Sequence, residues 1–180
     1  KYAQFAMMGI AGACFMGIFL ALESYRLERL AIWRNPEKYE KGYQTLQGLY
    51  AIGSGGVFGV GIGNSVQKLG FVPEAQNDMI FSIICEELGL AGAGIIVFLF
   101  LLLIWRFFLI ASGSRDLFGA LIATGAMAHM MIQVILNIAV VTNTIPNTGI
   151  TLPFISYGGT SVMFLLIEMG LVLSVSQVVD

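Results

Sequence analysis

The chain has 180 residues, of which 57% are hydrophobic and only 11% are charged. Soluble domains carry about 25% charged residues. The mean hydropathy of +0.85 therefore excludes an ordinary soluble domain and indicates an all-α, polytopic membrane protein. A net charge of −2 without a basic cluster argues against nucleic-acid binding.

Four apolar runs predict four transmembrane helices, because a hydrocarbon core about 30 Å thick needs about 20 apolar residues. A single helix over residues 78–110 would be about 50 Å long at about 1.5 Å per residue. It must therefore either project from the membrane or bend near Gly89 and Gly92. The chain begins inside an apolar run, so we expect a fragment that forms one transmembrane region over residues 1–180. The predicted spans are residues 2–22, 79–110, 117–141 and 154–175.

Two irregular segments separate these runs. Residues 23–77 form a long loop with an amphipathic helix predicted over residues 25–34 and a glycine-rich turn over residues 53–63, which does not match a nucleotide-binding motif. The second segment, residues 142–153, contains two prolines and is not a regular helix. Counting crossings places both segments on one face, so we predict one site between residues 37–68 and 143–153. Charge alone does not decide which face is outside.

Several polar residues lie inside the predicted spans. His129, Gln133 and Asn137 recur every four residues and form one stripe, for which we favour interhelical hydrogen bonding over catalysis. Glu168 is the charged residue of the last span, where it needs a partner or a raised pKa. The two cysteines, Cys14 and Cys85, have no metal-site spacing and are interpreted as packing residues.

Three motifs identify a resemblance to a known family. They are GYQTLQGLYAIGSGG at residues 42–56, GIGNSVQKLGFVPEAQNDMIFSIICEELG at 61–89 and NIAVVTNTIPNTGITLPFISYGGTS at 137–161. In this order they closely resemble the SEDS family of bacterial cell-wall proteins, the FtsW, RodA and SpoVE proteins, with the division and sporulation types nearest. The resemblance implies the last four of ten transmembrane helices in the bacterial cytoplasmic membrane, with the long, partly helical loop on the extracytoplasmic face.

The resemblance also implies an activity. Members of this family polymerise the lipid-linked precursor lipid II into glycan strands, together with a class B penicillin-binding transpeptidase and other cell-wall or division proteins. The 4-hydroxyl of one precursor attacks the anomeric carbon of another and expels undecaprenyl pyrophosphate. Two alternatives remain, a transporter of the lipid-linked precursor and a non-catalytic scaffold for the transpeptidase. We expect the isolated fragment to be inactive.

The catalytic base is where this sequence departs from the family. The family pattern resembles NPxxDPxxxGYQ with a catalytic aspartate, whereas this chain reads NPEKYEKGYQ, two residues shorter, with no aspartate between Glu23 and Asn77. Counting back from Gly42 favours Glu37, and a gap before the glycine favours Glu40, which we rank slightly higher. The alternative is that both glutamates are solvated surface charges.

The remaining candidates concern substrate and cation binding. Lys68 either faces the pyrophosphate or is an interfacial lysine, and Ser156 either contacts substrate or belongs to a close helix approach. A divalent cation, Mg²⁺ or Mn²⁺, would need carboxylate ligands. Glu86 and Glu87 can instead bond the loop backbone. The substrate-binding candidates are Gln44, Gln47, Lys68, Asn147, Thr148 and Ser156, and the metal candidates are Glu74, Asp78 and Glu86.

Overall fold

The computed structural model describes residues 7, 9, 10, 12, 15 and 24–177. Within these residues the chain is helical and contains no strand. Most of the first predicted span, residues 2–22, lies outside the described residues. The helices are α1 (Ser24–Arg34), α2 (Tyr43–Gly55), α3 (Ile80–Gly113), α4 (Leu117–Val141) and α5 (Gly159–Ser176), and short 3-10 turns occupy Pro36–Lys38, Glu40–Gly42 and Gln67–Leu69.

The chain divides into two compact units, and the first comprises Lys1–Tyr43. Here α1 is the helix predicted over residues 25–34, and Pro36 follows its end. The 3-10 turns after it are tight, since a Cβ on Gly42 would collide with the backbone of Pro36. An exposed ion pair joins Lys41 Nζ to Glu28 Oε1 at 2.9 Å. Exposed pairs of this kind contribute little stability.

The second unit, Gln44–Asp180, contains the long apolar helices. Among the described residues, α3, α4 and α5 are long and apolar enough to cross a membrane. α4 packs against both α3 and α5. Their shared core includes Phe100 and Phe107 of α3, Met130 of α4, and Leu165 and Val172 of α5.

The start of α5 differs from the sequence prediction. The helix begins at Gly159, whereas the last span was predicted from residue 154. A turn occupies the intervening residues, where Phe154 has a φ of 61° and Ile155 N–H donates to the Pro153 carbonyl at 2.8 Å. Hydropathy could not place this boundary, because the turn residues Phe154 and Ile155 are themselves apolar.

Helix α3 is interrupted at Gly89, which has φ 67° and ψ −169°. This conformation is essentially restricted to glycine. The interruption agrees with the predicted bend near Gly89, and Gly92 keeps helical geometry. From Leu90 to Gly113 the second half of α3 is about 36 Å long at about 1.5 Å per residue, enough to cross a hydrocarbon core by itself.

The glycine-rich segment after α2 fills the interruption in α3. Val60 N–H donates to the Glu86 carbonyl at 2.9 Å, and Gly61 N–H donates to the Glu87 carbonyl at 3.0 Å. In the opposite direction, the N–H groups of Leu90 and Ala91 donate to the carbonyls of Gly56 at 2.9 Å and Val57 at 3.0 Å.

These four bonds satisfy backbone groups that a broken helix leaves without intrahelical partners. Broken helices at membrane depth are tolerated where protein re-satisfies their backbone. The close approach requires glycine, since a Cβ on Gly55 would meet the Cys85 carbonyl and a Cβ on Gly59 would meet the Glu87 carbonyl. We call residues 56–61 together with residues 86–91 the interlock.

Candidate functional site

A polar junction forms where α2, the turn at residues 73–79 and the irregular segment after α4 meet. Gln44, in the first turn of α2, donates from Nε2 to Asp78 Oδ1 and to the Pro73 carbonyl, both at 3.3 Å. The amide of Asn147 donates from Nδ2 to Gln44 Oε1 at 3.5 Å. The long loop and the segment after α4, which sequence analysis assigned to one face, are therefore in contact through Gln44 and Asn147.

Asn137 of α4 holds two segments of this polar junction through hydrogen bonds from its side chain. Its side chain is fully buried, and Nδ2 donates to the carbonyls of Asp78 at 2.8 Å and Ile150 at 2.7 Å. The Oδ1 atom is buried without a hydrogen-bond partner. One side chain thus fixes two of the three chain segments that meet here. Sequence analysis placed Asn137 in a polar stripe but did not find its partners, because both are backbone carbonyls.

The other members of the stripe also form hydrogen bonds. Gln133 Nε2 donates to Thr151 Oγ1 at 3.4 Å, and His129 Nδ1 lies 2.9 Å from Glu168 Oε1 of α5. The predicted preference for structural hydrogen bonding is therefore confirmed at His129, where the bond is interhelical. Glu168 has the partner that its place in the span requires. His129, Gln133 and Thr151, together with residues 149 and 150, line a cavity of about 350 Å³.

Asp78 is the buried acid of the polar junction. Burial raises the pKa of its carboxyl, the negative charge of Glu74 adds to the increase, and the hydrogen bond from Gln44 opposes it. Within the described part of the chain no cation pairs with this carboxyl. Glu74 itself has a φ of 51°, a strained value for a residue other than glycine.

A second cluster holds the loop that follows the glycines. The buried carboxylate of Glu86 accepts from Ser65 Oγ at 2.5 Å and from Val66 N–H at 3.1 Å. Glu87 accepts from Lys68 Nζ at 2.5 Å. The structural alternative for Glu86, bonding of the loop backbone, is confirmed. Lys68 forms an ion pair within the protein, so its predicted contact with pyrophosphate would require this pair to open.

The predicted metal candidates do not gather into one site. Across the described ranges, no three His, Cys, Asp or Glu side chains are arranged to hold a metal ion. Glu74, Asp78 and Glu86 are therefore not a three-carboxylate group, because Glu86 faces Ser65 while Asp78 faces Gln44.

Of the other candidates, one side chain is hydrogen-bonded within the protein and the rest are exposed or half-buried. Ser156 is buried, and its hydroxyl accepts from Leu152 N–H at 2.7 Å, so it caps a turn of the segment. Thr148 is exposed, and Gln47 is half-buried. Glu37 and Glu40 belong to the first unit, where both side chains are exposed and form no hydrogen bond or ion pair with any described residue.

Long apolar helices, a broken helix closed by a glycine loop and polar groups paired within the spans define an all-helical, polytopic membrane protein. The FtsW/RodA/SpoVE family model, described as "Cell cycle protein", matches residues 1–180. The chain belongs to this family.

Curated relatives and a solved structure agree with this assignment. The chain is 45% identical over 180 residues to stage V sporulation protein E of Bacillus subtilis (strain 168), covering 98% of this chain and 49% of the relative. It is 46% identical over 165 residues to the probable peptidoglycan glycosyltransferase FtsW of Coxiella burnetii (strain RSA 493 / Nine Mile phase I), covering 88% and 44%. The chain thus spans about half the length of these relatives.

The solved structure is described as "Structural coordination of polymerization and crosslinking by a peptidoglycan synthase complex". It matches with a TM-score of 0.77 at 28% identity, covering 98% of this chain and 48% of the solved chain. The fold described above is therefore found in a peptidoglycan synthase complex.

Proposed function

We propose that this chain is the C-terminal part of a peptidoglycan glycosyltransferase that polymerises lipid II into glycan strands. The observation that carries the proposal is the family match over residues 1–180, joined to relatives named as probable peptidoglycan glycosyltransferases. The protein acts in the bacterial cytoplasmic membrane with its site on the extracytoplasmic face. Its partners are lipid II, the growing glycan strand, a class B penicillin-binding transpeptidase and other cell-wall or division proteins.

The reaction needs a base for the attacking 4-hydroxyl and stabilisation of the leaving pyrophosphate. Glu40, or in its place Glu37, accepts the proton as the new glycosidic bond forms and undecaprenyl pyrophosphate leaves. Both carboxylates are exposed and make no side-chain hydrogen bond or ion pair with a described residue, which is compatible with a base and equally with the alternative of solvated surface charges. Gln44, Gln47, Asn147 and Thr148 contact the substrate. Gln44 and Asn147 would first have to exchange their hydrogen bond to each other for a bond to the substrate. The divalent cation, Mg²⁺ or Mn²⁺, stays a prediction, and no step is routed through it; among the described residues no group of three or more His, Cys, Asp or Glu could hold it.

Two of the predicted substrate contacts, Lys68 and Ser156, are less well supported by the structure. Lys68 is paired with Glu87, and Ser156 caps its own turn. Both are therefore better explained as residues that hold the loop and the segment in place. Lys68 can reach the leaving group only if the ion pair exchanges for pyrophosphate.

The test is polymerisation by the purified full-length protein in liposomes containing lipid II, with its transpeptidase supplied as an inactive variant. A glycosyltransferase makes glycan strands in a single membrane compartment. Movement of lipid II across the bilayer without glycan would identify a transporter instead. Absence of both activities, in a preparation that binds the transpeptidase, would identify a scaffold.

A further inference from the structure

The side chain of Asn137 joins two segments that lie far apart in the sequence. Its amide nitrogen donates one hydrogen to the Asp78 carbonyl at 2.8 Å and the other to the Ile150 carbonyl at 2.7 Å. The two partners are 59 and 13 positions away along the chain. Among uncharged side chains, only asparagine and glutamine carry two donors on one nitrogen. The pair of bonds therefore depends on the amide itself.

The surroundings of Asn137 are complete within the described residues. These residues alone leave none of its side chain exposed. Its two hydrogen bonds therefore do not depend on what covers the outside of the chain. A buried carbonyl that loses its donor keeps the cost of its desolvation. Removing the amide should therefore either leave the carbonyls of Asp78 and Ile150 poorly satisfied or let their segments move.

Elements other than α4 also hold the turn of the polar junction. The Pro73 carbonyl accepts from Gln44 Nε2 at 3.3 Å, and the Gln76 carbonyl accepts from Tyr157 N–H at 2.7 Å. Together with the bond from α4, three carbonyls of this turn are bonded by three different parts of the chain. The position of the turn is thus set by tertiary contacts.

Both segments bonded by Asn137 contain a strained residue. Glu74, in the turn of the polar junction, has a φ of 51°, and Phe154, in the segment after α4, has a φ of 61°. Strained backbone of this kind persists only where the surrounding structure over-determines it. The bonds from Asn137 supply part of that constraint, so both segments should relax when the bonds are lost.

Two of the proposed substrate contacts lie on the structure that Asn137 holds. Gln44 Nε2 donates to the Asp78 carboxylate at 3.3 Å, and Asn147 Nδ2 donates to Gln44 Oε1 at 3.5 Å. Asn147 is three residues before Ile150 in the same segment. A shift of either bonded carbonyl would therefore change the separation of the two substrate-contacting amides.

We propose that Asn137 is a positioning residue for lipid II, because it sets the separation of Gln44 and Asn147 by fixing the backbone at Asp78 and Ile150. The inference rests on the proposed function. Asn137 is fully buried and does not touch the substrate, so it acts through the two amides. A displacement of about 1 Å in a substrate-positioning group can cost about 10²-fold in rate.

The test measures KM and kcat for lipid II polymerisation by the full-length protein, with its transpeptidase supplied as an inactive variant. Asn137→Leu removes both donors, and Asn137→Asp keeps the shape with at most one donor. Val134→Ala is the matched control, because Val134 is buried in the same helix and its side chain forms no hydrogen bond. Thermal unfolding of each variant gives the folded fraction at the assay temperature.

Both Asn137 variants should raise the KM for lipid II by about tenfold, the effect of weakening one or two hydrogen bonds to the substrate. Loss of folded protein lowers kcat and leaves KM unchanged, which is the result expected for Val134→Ala. If Asn137→Leu does not fold, Asn137→Asp decides. A wild-type KM in the folded Asn137 variants would overturn the proposal even where kcat falls, and so would a failure of both variants to fold, since Asn137 would then be purely structural.

Hydrogen exchange separates failure of this inference from failure of the proposed function. Peptides covering residues 73–79 and 150–157 should exchange about tenfold faster in Asn137→Asp than in Val134→Ala at equal folded fraction. A wild-type protein that makes no glycan would refute the proposed function, and the exchange data would still decide whether Asn137 positions the two segments. Unchanged exchange in both peptides would overturn the positioning role.

Discussion

His129 of α4 and Glu168 of α5 form an interhelical pair, with Nδ1 and Oε1 2.9 Å apart. Each residue is the titratable group of its own helix. Removing one partner leaves the other unpaired in the membrane, which costs more than replacing both by apolar groups. Replacing either residue alone should therefore destabilise the protein more than half as much as replacing both.

A double-mutant cycle tests this pair. We expect His129→Leu and Glu168→Leu each to lower the thermal stability of the purified full-length protein, and the double variant to lose less than the sum. Interhelical hydrogen bonds in membranes couple by about 0.6 kcal/mol on average. Additive losses would show that the pair is not formed.

The interlock predicts a graded series of glycine substitutions. Gly59→Ala and Gly89→Ala should strongly destabilise the protein, since each added Cβ meets backbone atoms across the interlock and backbone strain alone costs about 1–3 kcal/mol. Gly56→Ala, also at positive φ but with open space around the Cβ, should cost only the strain.

Gly53→Ala is the matched control, because Gly53 lies inside α2 with open space where the alanine methyl would be and should gain up to about 1 kcal/mol of helix propensity. Thermal unfolding in detergent gives all four values. A loss at Gly53 equal to that at Gly59 would contradict the interlock.

Asp78 predicts a pH dependence of stability. Because its pKa is raised in the folded protein, the folded state binds the proton more tightly than the unfolded chain does. Stability from this group is greatest below the ordinary carboxyl pKa of about 3.9 and is lost as the pH rises through the folded value. Lowering the pH from 7 should therefore raise the unfolding temperature of the wild-type protein relative to Asp78→Asn, which keeps an acceptor for Gln44. Parallel pH profiles for the two proteins would refute this assignment.

If Glu40 is the catalytic base, substitutions of Glu40 and of Glu37 should have different effects on the polymerisation rate. In the lipid II polymerisation assay, Glu40→Gln should lose about 10²- to 10⁴-fold in rate, the usual contribution of general-base assistance. Glu37→Gln should remain near wild type, and Glu40→Asp should recover part of the activity. Full activity in both variants and in the double variant would place the base elsewhere.

Sequence patterns predicted the parts of this fold that depend on hydropathy and length. The apolar runs of α3 and α4 can be predicted from composition, and the excess length of α3 predicted either a projection from the membrane or a bend near Gly89 and Gly92. The interlock could not be predicted, because its hydrogen bonds join backbone atoms far apart in the chain and leave no side-chain signature except glycines. Sequence analysis left Lys68 either facing the pyrophosphate or interfacial, and it did not find the ion pair with Glu87, because a partner nineteen positions away is not visible in a residue pattern.

In the candidate site, too, the contacts between residues far apart in the chain could not be predicted in full from the sequence. Polar residues in the loop and in the segment after α4 were predicted to converge, and Gln44 with Asn147 provides a contact between them. The roles of Asp78 and Asn137 depend on burial and on backbone carbonyls, neither of which is visible in a residue pattern. Ser156 likewise bonds an amide four residues before it, which a motif cannot distinguish from a substrate contact.

The closure of α3 by the glycine segment also has a kinetic consequence. The amides of Val60, Gly61, Leu90 and Ala91 are held by bonds that run in both directions across one interruption. We expect these four amides to open as a single cooperative unit, so that their hydrogen-exchange rates give one common free energy of opening. The interruption at Gly89 should therefore be a protected part of α3 and not the place where its backbone amides exchange fastest.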